Sequence, residues 1–340
     1  MLDARKKAIL FVAVQEYILS AEPVSSQRLV EKYQLGISSA TVRHELSQLE
    51  ELGYLHQPHT SAGRIPTDIA YRYYVDSTSS KPGLTGQEEK SITQLFSALN
   101  KEMEQLLRET TKVLSDLTKQ VSVVLAPAFT QSAIKHIDVI TLSPRHVLLV
   151  LITDKGQVLK RTIAAGMVGG SIDIIERVLN EALQGLRSSE IATVKDTLEL
   201  LDPQSAKLVH KLIDEIIDIV SGEDKERVFL SGTSSILYQP EFEDLHKVQS
   251  LLSSLEHGYR LLQWLEDPYR SDKVFVRIGS ENTDKDIKDC SLVASSYEVD
   301  GEVLGTIGII GPTRMNYARA ISAVEFIAGN LTKALRELRS

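Results

Sequence analysis

The chain has one cysteine, Cys290, in 340 residues. That excludes an intramolecular disulfide and any multi-cysteine zinc site. No motif surrounds Cys290, so it reads as a small, partly buried hydrophobe. Long apolar runs are missing too: no stretch approaches the ~18 residues of a membrane span. The first apolar segment is interrupted by Gln15 and Glu16, unlike a secretion signal. The expected location is the cytoplasm, with no membrane partner. Catalytic signatures are also absent, with neither a Walker loop nor a Gly-x-Ser-x-Gly elbow. Gly305, Gly308 and Gly311 have the wrong spacing for a dinucleotide fingerprint, and close sheet packing or bulges explain them better. The eight histidines form no His-x-x-x-His pair and no ligand cluster with carboxylates at fixed spacing. His136 and His146 read as structural residues flanking a hairpin. No cofactor, metal or enzymatic activity is expected. An excess of positive charge is lacking as well. The formal net charge is −8, which at first argues against a nucleic-acid partner.

The distribution of charge softens that argument. Residues 1–76 hold eight Lys/Arg and nine Asp/Glu, so most of the acid lies elsewhere. A local patch of Arg5, Lys6, Lys7, Arg43, Arg64 and Arg72 could meet phosphates while the acidic body is held away.

The stretch from Ser38 to Asp76 organises the rest. Ser38 or Ser39 can cap a helix, Val42, Leu46, Leu49 and Leu52 form its buried stripe, and Gly53 supplies a left-handed stop. Its other face carries Ser39, Ala40, Arg43, His44 and Ser47, mostly small or basic residues that suit a DNA groove, and Ser38 and Thr41 are candidate contacts with them. Tyr54 to Gln57 and Arg64-Ile65 read as a short ribbon. Its tip, including His59, Thr60 and Ser61, is rich in hydroxyls, and Pro58 and Pro66 confine it to an edge. Upstream, helices over 3–20 and 26–33, with Ser25 as a cap, complete a helix-turn-helix layout. A three-helix interaction domain has the same shape, and the ribbon is what favours DNA. Arg43 could instead pair with Glu45 or Glu50 across the helix surface. Thr67 or Asp68 can cap a further short helix to Asp76. Its Tyr71, Arg72, Tyr73 and Tyr74 could touch DNA backbone; packing on the domain is the preferred reading for at least two of the tyrosines, and Arg72 is a candidate phosphate contact.

Residues 77–87 have the composition of a linker. A long amphipathic helix is expected over 88–120, serving a dimer seam or, as we favour, covering a sheet. Strands follow at 122–126, 136–142, 146–153 and 158–163, and again at 274–278, 292–298 and 303–310 before a closing helix over 316–338. Between these strand sets, 168–268 is mostly helical, which suggests an inserted domain.

The run TVRHELSQLEELGYLHQPHTSAGRIPTDIAYRYYVD resembles the signature of the HrcA family of heat-inducible transcription repressors. GTSSILYQPEF (232–242), IGSEN (278–282) and GPTRMNY (311–317) also resemble family motifs. Two positions depart from it: the family usually has Asn at His44 and Gly at Ala70. The resemblance implies a multidomain α+β protein. Its units would be an N-terminal winged helix-turn-helix (1–76), a linker (77–87), a GAF-like α/β domain (88–167 and 269–340) and a mostly helical inserted dimerisation domain (168–268). It further implies a homodimer repressing chaperone operons on an inverted-repeat operator, CIRCE, with the chaperonin GroEL as regulator. The DNA-binding residues carried over are those of the helix, the ribbon and Arg72. GAF-like folds often bind small molecules, so a ligand-sensing regulator is the alternative.

Overall fold

The computed structural model describes residues 2–59, 62–78, 83–98, 102–127, 132–165, 172–194, 203–221, 228–242, 244–256, 258–265 and 274–339. Three short polar side chains start the first three helices. Asp3 accepts the Lys6 amide at 2.9 Å to open α1 (Ala4–Ser20). Ser25 does the same for Arg28 in α2 (Ser26–Tyr33), and Ser38 for Thr41 in α3 (Ser39–Glu51). Each takes up an amide that a helix start leaves without a partner. The ribbon of β1 (Leu55–His56) and β2 (Ile65–Pro66) follows α3. Arg64 adds an antiparallel bridge to Val24, between α1 and α2. Helix α4 (Asp68–Thr78) completes this N-terminal unit. Thr67 stands just before it, its carbonyl accepting the Ala70 and Tyr71 amides at 2.9 and 3.1 Å, while its hydroxyl donates to the Gly53 and Tyr54 carbonyls.

The single helix expected over 88–120 is two helices, α5 (Gly86–Ala98) and α6 (Met103–Thr118). Glu102, at φ −55 and ψ 150, leaves helical geometry before α6. Strand β3 (Val121–Leu125) comes next, then β4 (Ile134–Ser143), β5 (His146–Thr153) and β6 (Val158–Ala164). Helices α7 (Ile172–Leu183), α8 (Ser188–Val194) and α9 (Pro203–Ser221) lead to β7 (Val228–Ser231). Helices α10 (Leu245–Glu256) and α11 (Gly258–Leu265) follow it. The chain closes with β8 (Val274–Ile278), β9 (Cys290–Val299), β10 (Glu302–Pro312) and α12 (Tyr317–Arg339).

Hydrogen bonding divides these elements differently from the boundaries expected above. One antiparallel sheet has the order β7-β3-β10-β9-β8, and β4-β5-β6 form a second sheet of their own. The first alternates its side chains between two cores. Val124, Val293 and Ile307 pack with Leu106 of α6 and Val324 of α12, whereas Val123, Leu292 and Ile310 pack with Leu251 of α10 and Trp264 of α11. The second sheet buries Val147, Leu149 and Leu151 against Leu179 of α7 and Leu212 of α9, in a separate core. The strands of 134–164 therefore belong with α7 to α9. In contrast, β7, α10 and α11, expected inside the insertion, belong to the larger sheet. Chain order cannot reveal this, because a strand's own residues do not say which other strands it pairs with.

The linker expectation also changes. Helix α4 runs on to Thr78. Gly83 lies against α12, where a Cβ would sit 2.3 Å from the Ala318 carbonyl oxygen.

Candidate nucleic-acid interface

Helix α3 buries Val42, Leu46 and Leu49. Leu52, expected in this stripe, is 55% exposed because the helix ends there. Gly53, at φ +80, turns the chain, and the Tyr54 amide reaches back to the Leu49 carbonyl at 2.9 Å. This six-residue closure is a Schellman stop. The Ser39 and Ser26 hydroxyls, 3.0 Å apart, link α3 to α2.

The outward face of α3 presents Ala40, Arg43 and His44, with half-buried Ser47 one turn on. These positions are three and four residues apart and so lie on one face. Ser38 is exposed, and its hydroxyl also meets that of Thr41 at 2.9 Å. His44 Nε2 lies 3.1 Å from Gln48 Nε2. The pairing once open to Arg43 does not form. Glu45 is engaged by Lys6 at 3.2 Å and Arg5 at 3.6 Å, and Glu50 by Arg64 at 2.9 Å. Of the six cations in the expected patch, Lys7 and Arg43 have no ion pair among the described residues.

Arg64 is placed differently from a free phosphate contact. Its side chain is 15% exposed, and its backbone bridges Val24. Arg72 is also occupied. It donates to Glu281 at 2.8 and 2.5 Å, to the Val276 carbonyl at 2.7 Å and to Asp76 at 3.3 Å. His59 is exposed, whereas Thr60 and Ser61 lie outside the described residues. The tyrosines of α4 pack as expected: Tyr71 is buried, and Tyr73 and Tyr74 lie against Phe11.

Glu16 had no sequence signal, yet it knots the unit together. Its carboxylate is fully buried and meets Arg28 Nε and Lys32 Nζ at 2.6 Å and the Tyr33 hydroxyl at 2.9 Å. Burial works against its charge, but Lys32, Tyr33 and Arg28 outweigh it and hold the carboxyl below its ordinary value. Tyr33, half-buried, is pushed up to about 12 by desolvation and by that carboxylate.

Two further features bear on chemistry. Burial and the neighbouring Asp289 push the Cys290 thiol up to about 12, which leaves it unreactive. Strand β4 and helix α7 bring His136, Asp138 and Glu176 together, a grouping that needs the fold. His136 and Asp138 already pair at 3.2 Å, and Glu176 accepts the Val139 amide at 3.0 Å.

Comparison with known proteins places the chain among regulators. The family model described as "HrcA protein C terminal domain" matches residues 104–321. The heat-inducible transcription repressor HrcA of Moorella thermoacetica is 39% identical, covering 99% of this chain and 99% of its own length. That of Pelotomaculum thermopropionicum is 37% identical, over 99% and 98%. A 2.2 Å crystal structure of a protein described as hypothetical superposes with a TM-score of 0.74 at 24% identity, over 99% of this chain and 100% of that one. At that identity the likeness is one of fold.

Proposed function

The chain belongs to the HrcA family of heat-inducible transcription repressors, and from that premise we propose that it binds an inverted-repeat operator as a homodimer through an N-terminal winged helix-turn-helix. The observation that carries this reading is α3. Its exposed face carries Arg43, which has no ion pair among the described residues, while the nearest acids are neutralised by other cations. An unpaired Arg near the start of a groove-reading helix is free to bind guanine O6 and N7. The β1–β2 ribbon serves as the wing. On this reading the larger sheet with its helices is the GAF-like body, and β4 to β6 with α7 to α9 form the dimerising insertion. The operator is the CIRCE repeat. Occupation of the promoter blocks polymerase, GroEL maintains the active form, and heat relieves repression.

A mobility-shift titration with the CIRCE repeat against a scrambled duplex, at several salt concentrations, tests the first part. Preference for the repeat that survives added salt is expected, and equal binding of both duplexes overturns it. For chaperonin control, purified protein is expected to lose binding on standing and regain it with GroEL and ATP. Undiminished activity without chaperonin across the heat-shock range would remove that element.

A further inference from the structure

Three loop motifs of the body converge on the N-terminal unit. The IGSEN segment meets α4. Here the Ser280 amide donates to Asp68 at 2.8 Å, and Glu281 receives the two bonds from Arg72. This loop is built for the contact. Gly279 has φ +50, and a Cβ there would lie 2.4 Å from the Asp68 carboxyl. The buried Asn282 amide nitrogen reaches the Gly279, Ile287 and Cys290 carbonyls at 3.0, 3.1 and 2.9 Å, which sets the loop's shape.

The other two motifs meet at the end of α1. Arg314, of GPTRMNY, is 12% exposed. It donates to the Ile18 carbonyl at 2.8 Å and grips Glu241 and Gln239 of GTSSILYQPEF. Ile18 lies in the last turn of α1, where carbonyls have no helical partner and a cation is favoured. Between the two grips Tyr71 packs against Tyr317, with ring centroids 5.9 Å apart.

We propose that these two grips, Asp68 and Arg72 on Ser280–Glu281 and Arg314 between Ile18 and Glu241, are positioning elements that set the spacing of the recognition helices across the operator. This deepens the two-fold reading above and rests on it. A rigid joint delivers the second recognition helix to its half-site at high effective concentration, whereas a swinging joint loses that gain with no base contact altered. Arg72 then acts through the joint rather than on phosphate.

The test uses full-length protein and three kinds of labelled duplex: the inverted repeat, the repeat with its spacer changed by about 5 bp, half a DNA turn, and a single half-site. The parent is expected to prefer the repeat over the half-site and to lose that preference off the correct spacing. Arg314→Ala and Glu281→Arg should bind the half-site as the parent does. Their preference for the repeat should fall about tenfold or more, with a flattened spacer dependence. Adding Arg72→Glu to Glu281→Arg should restore the spacer dependence by re-forming the pair. Circular dichroism of each variant separates a loosened joint from a misfolded chain, and Glu281→Gln gives a milder second variant. Retention of the parent's spacer profile by the Arg314 and Glu281 variants would overturn the proposal. So would loss of half-site affinity in the charge-swapped protein, which would return Arg72 to the DNA. A parent that binds half-site and repeat alike would remove the two-fold reading itself, a result visible before any substitution is made.

Discussion

At the scale of single residues, Arg43 and Arg64 part company. Arg43 is exposed and unpaired among the described residues, so Arg43→Ala should narrow the gap between operator and random DNA by about 1–3 kcal/mol. Competition titrations with the two duplexes measure that gap. His44→Asn, which restores the family's usual residue, should leave operator binding intact or improve it. Arg64 ties the ribbon to Glu50 and Val24. Arg64→Ala is therefore expected to lower stability by about 1 kcal/mol and to leave sequence discrimination unchanged. A salt slope shallower by about one unit would instead mark Arg64 as a phosphate contact. Glu16 brings a pH dependence. Its folded-state pKa lies below its ordinary value of 4.5, so its contribution is complete above that value. The contribution is lost as the pH falls through the depressed one. Glu88 behaves alike: Arg319 and Thr85 hold it at about 2. Urea unfolding at pH 7 and pH 3 should show a smaller loss on acidification for Glu16→Gln than for the parent, from a lower starting stability.

At the scale of elements, close approach decides several positions. Gly63 lies where the ribbon crosses Val24, and a Cβ would sit 2.6 Å from that backbone. Gly63→Ala should push the ribbon off the α1–α2 connection and cost about 1–3 kcal/mol, readable as a lower Tm. Strand β4 shows how an open sheet edge is closed. Glu176 accepts the Val139 amide, Asn180 bonds both polar groups of Ile137, and Gln184 reaches the Lys135 carbonyl. These residues recur every four along and just beyond α7, so one helix face satisfies a strand edge that would otherwise recruit another chain. Asn180→Ala leaves two backbone groups without their partner and should destabilise the second sheet by about 1–3 kcal/mol, as hydrogen exchange along β4 would register.

At the scale of the whole molecule, the insertion has a clean root. Leu125 of β3 pairs with Val228 of β7, so the second sheet and its helices leave and return at the end of one hairpin. Outside that root, buried Lys155 at the β5–β6 turn reaches Glu302 at 2.7 Å. Excising 168–268 would remove β7 and, with α10 and α11, the cover of one face of the larger sheet, and is expected to unfold the body. Replacing 128–226 with a short turn should spare that sheet. If the insertion dimerises the protein, this shortened chain is a monomer by light scattering and binds one half-site weakly. A dimer would move the interface elsewhere.

The local signals were legible in the sequence because they act over a few residues. Ser25 and Ser38 start helices, Gly53 stops one, and a turn at Asp300 and Gly301, with φ +55 and +82, joins the strands expected at 292–298 and 303–310. The mixture of helices and strands followed from the periodicities, and the family from the motifs. Partnership was not legible, because it joins residues far apart in the chain. Nothing near Arg72 announces Glu281, and nothing near Arg314 announces Ile18. Both were visible only as charges, open to DNA or solvent alike. The division of strands between two sheets was hidden for the same reason. Alternation says that a strand has a buried face, but which core receives it depends on which helices reach it, and that was settled by packing. Gly305 stands between the two cases. Its spacing spoke against a nucleotide site and for close packing or a bulge, but only the fold supplied the neighbour: a Cβ there would meet the Leu125 carbonyl oxygen at 2.0 Å.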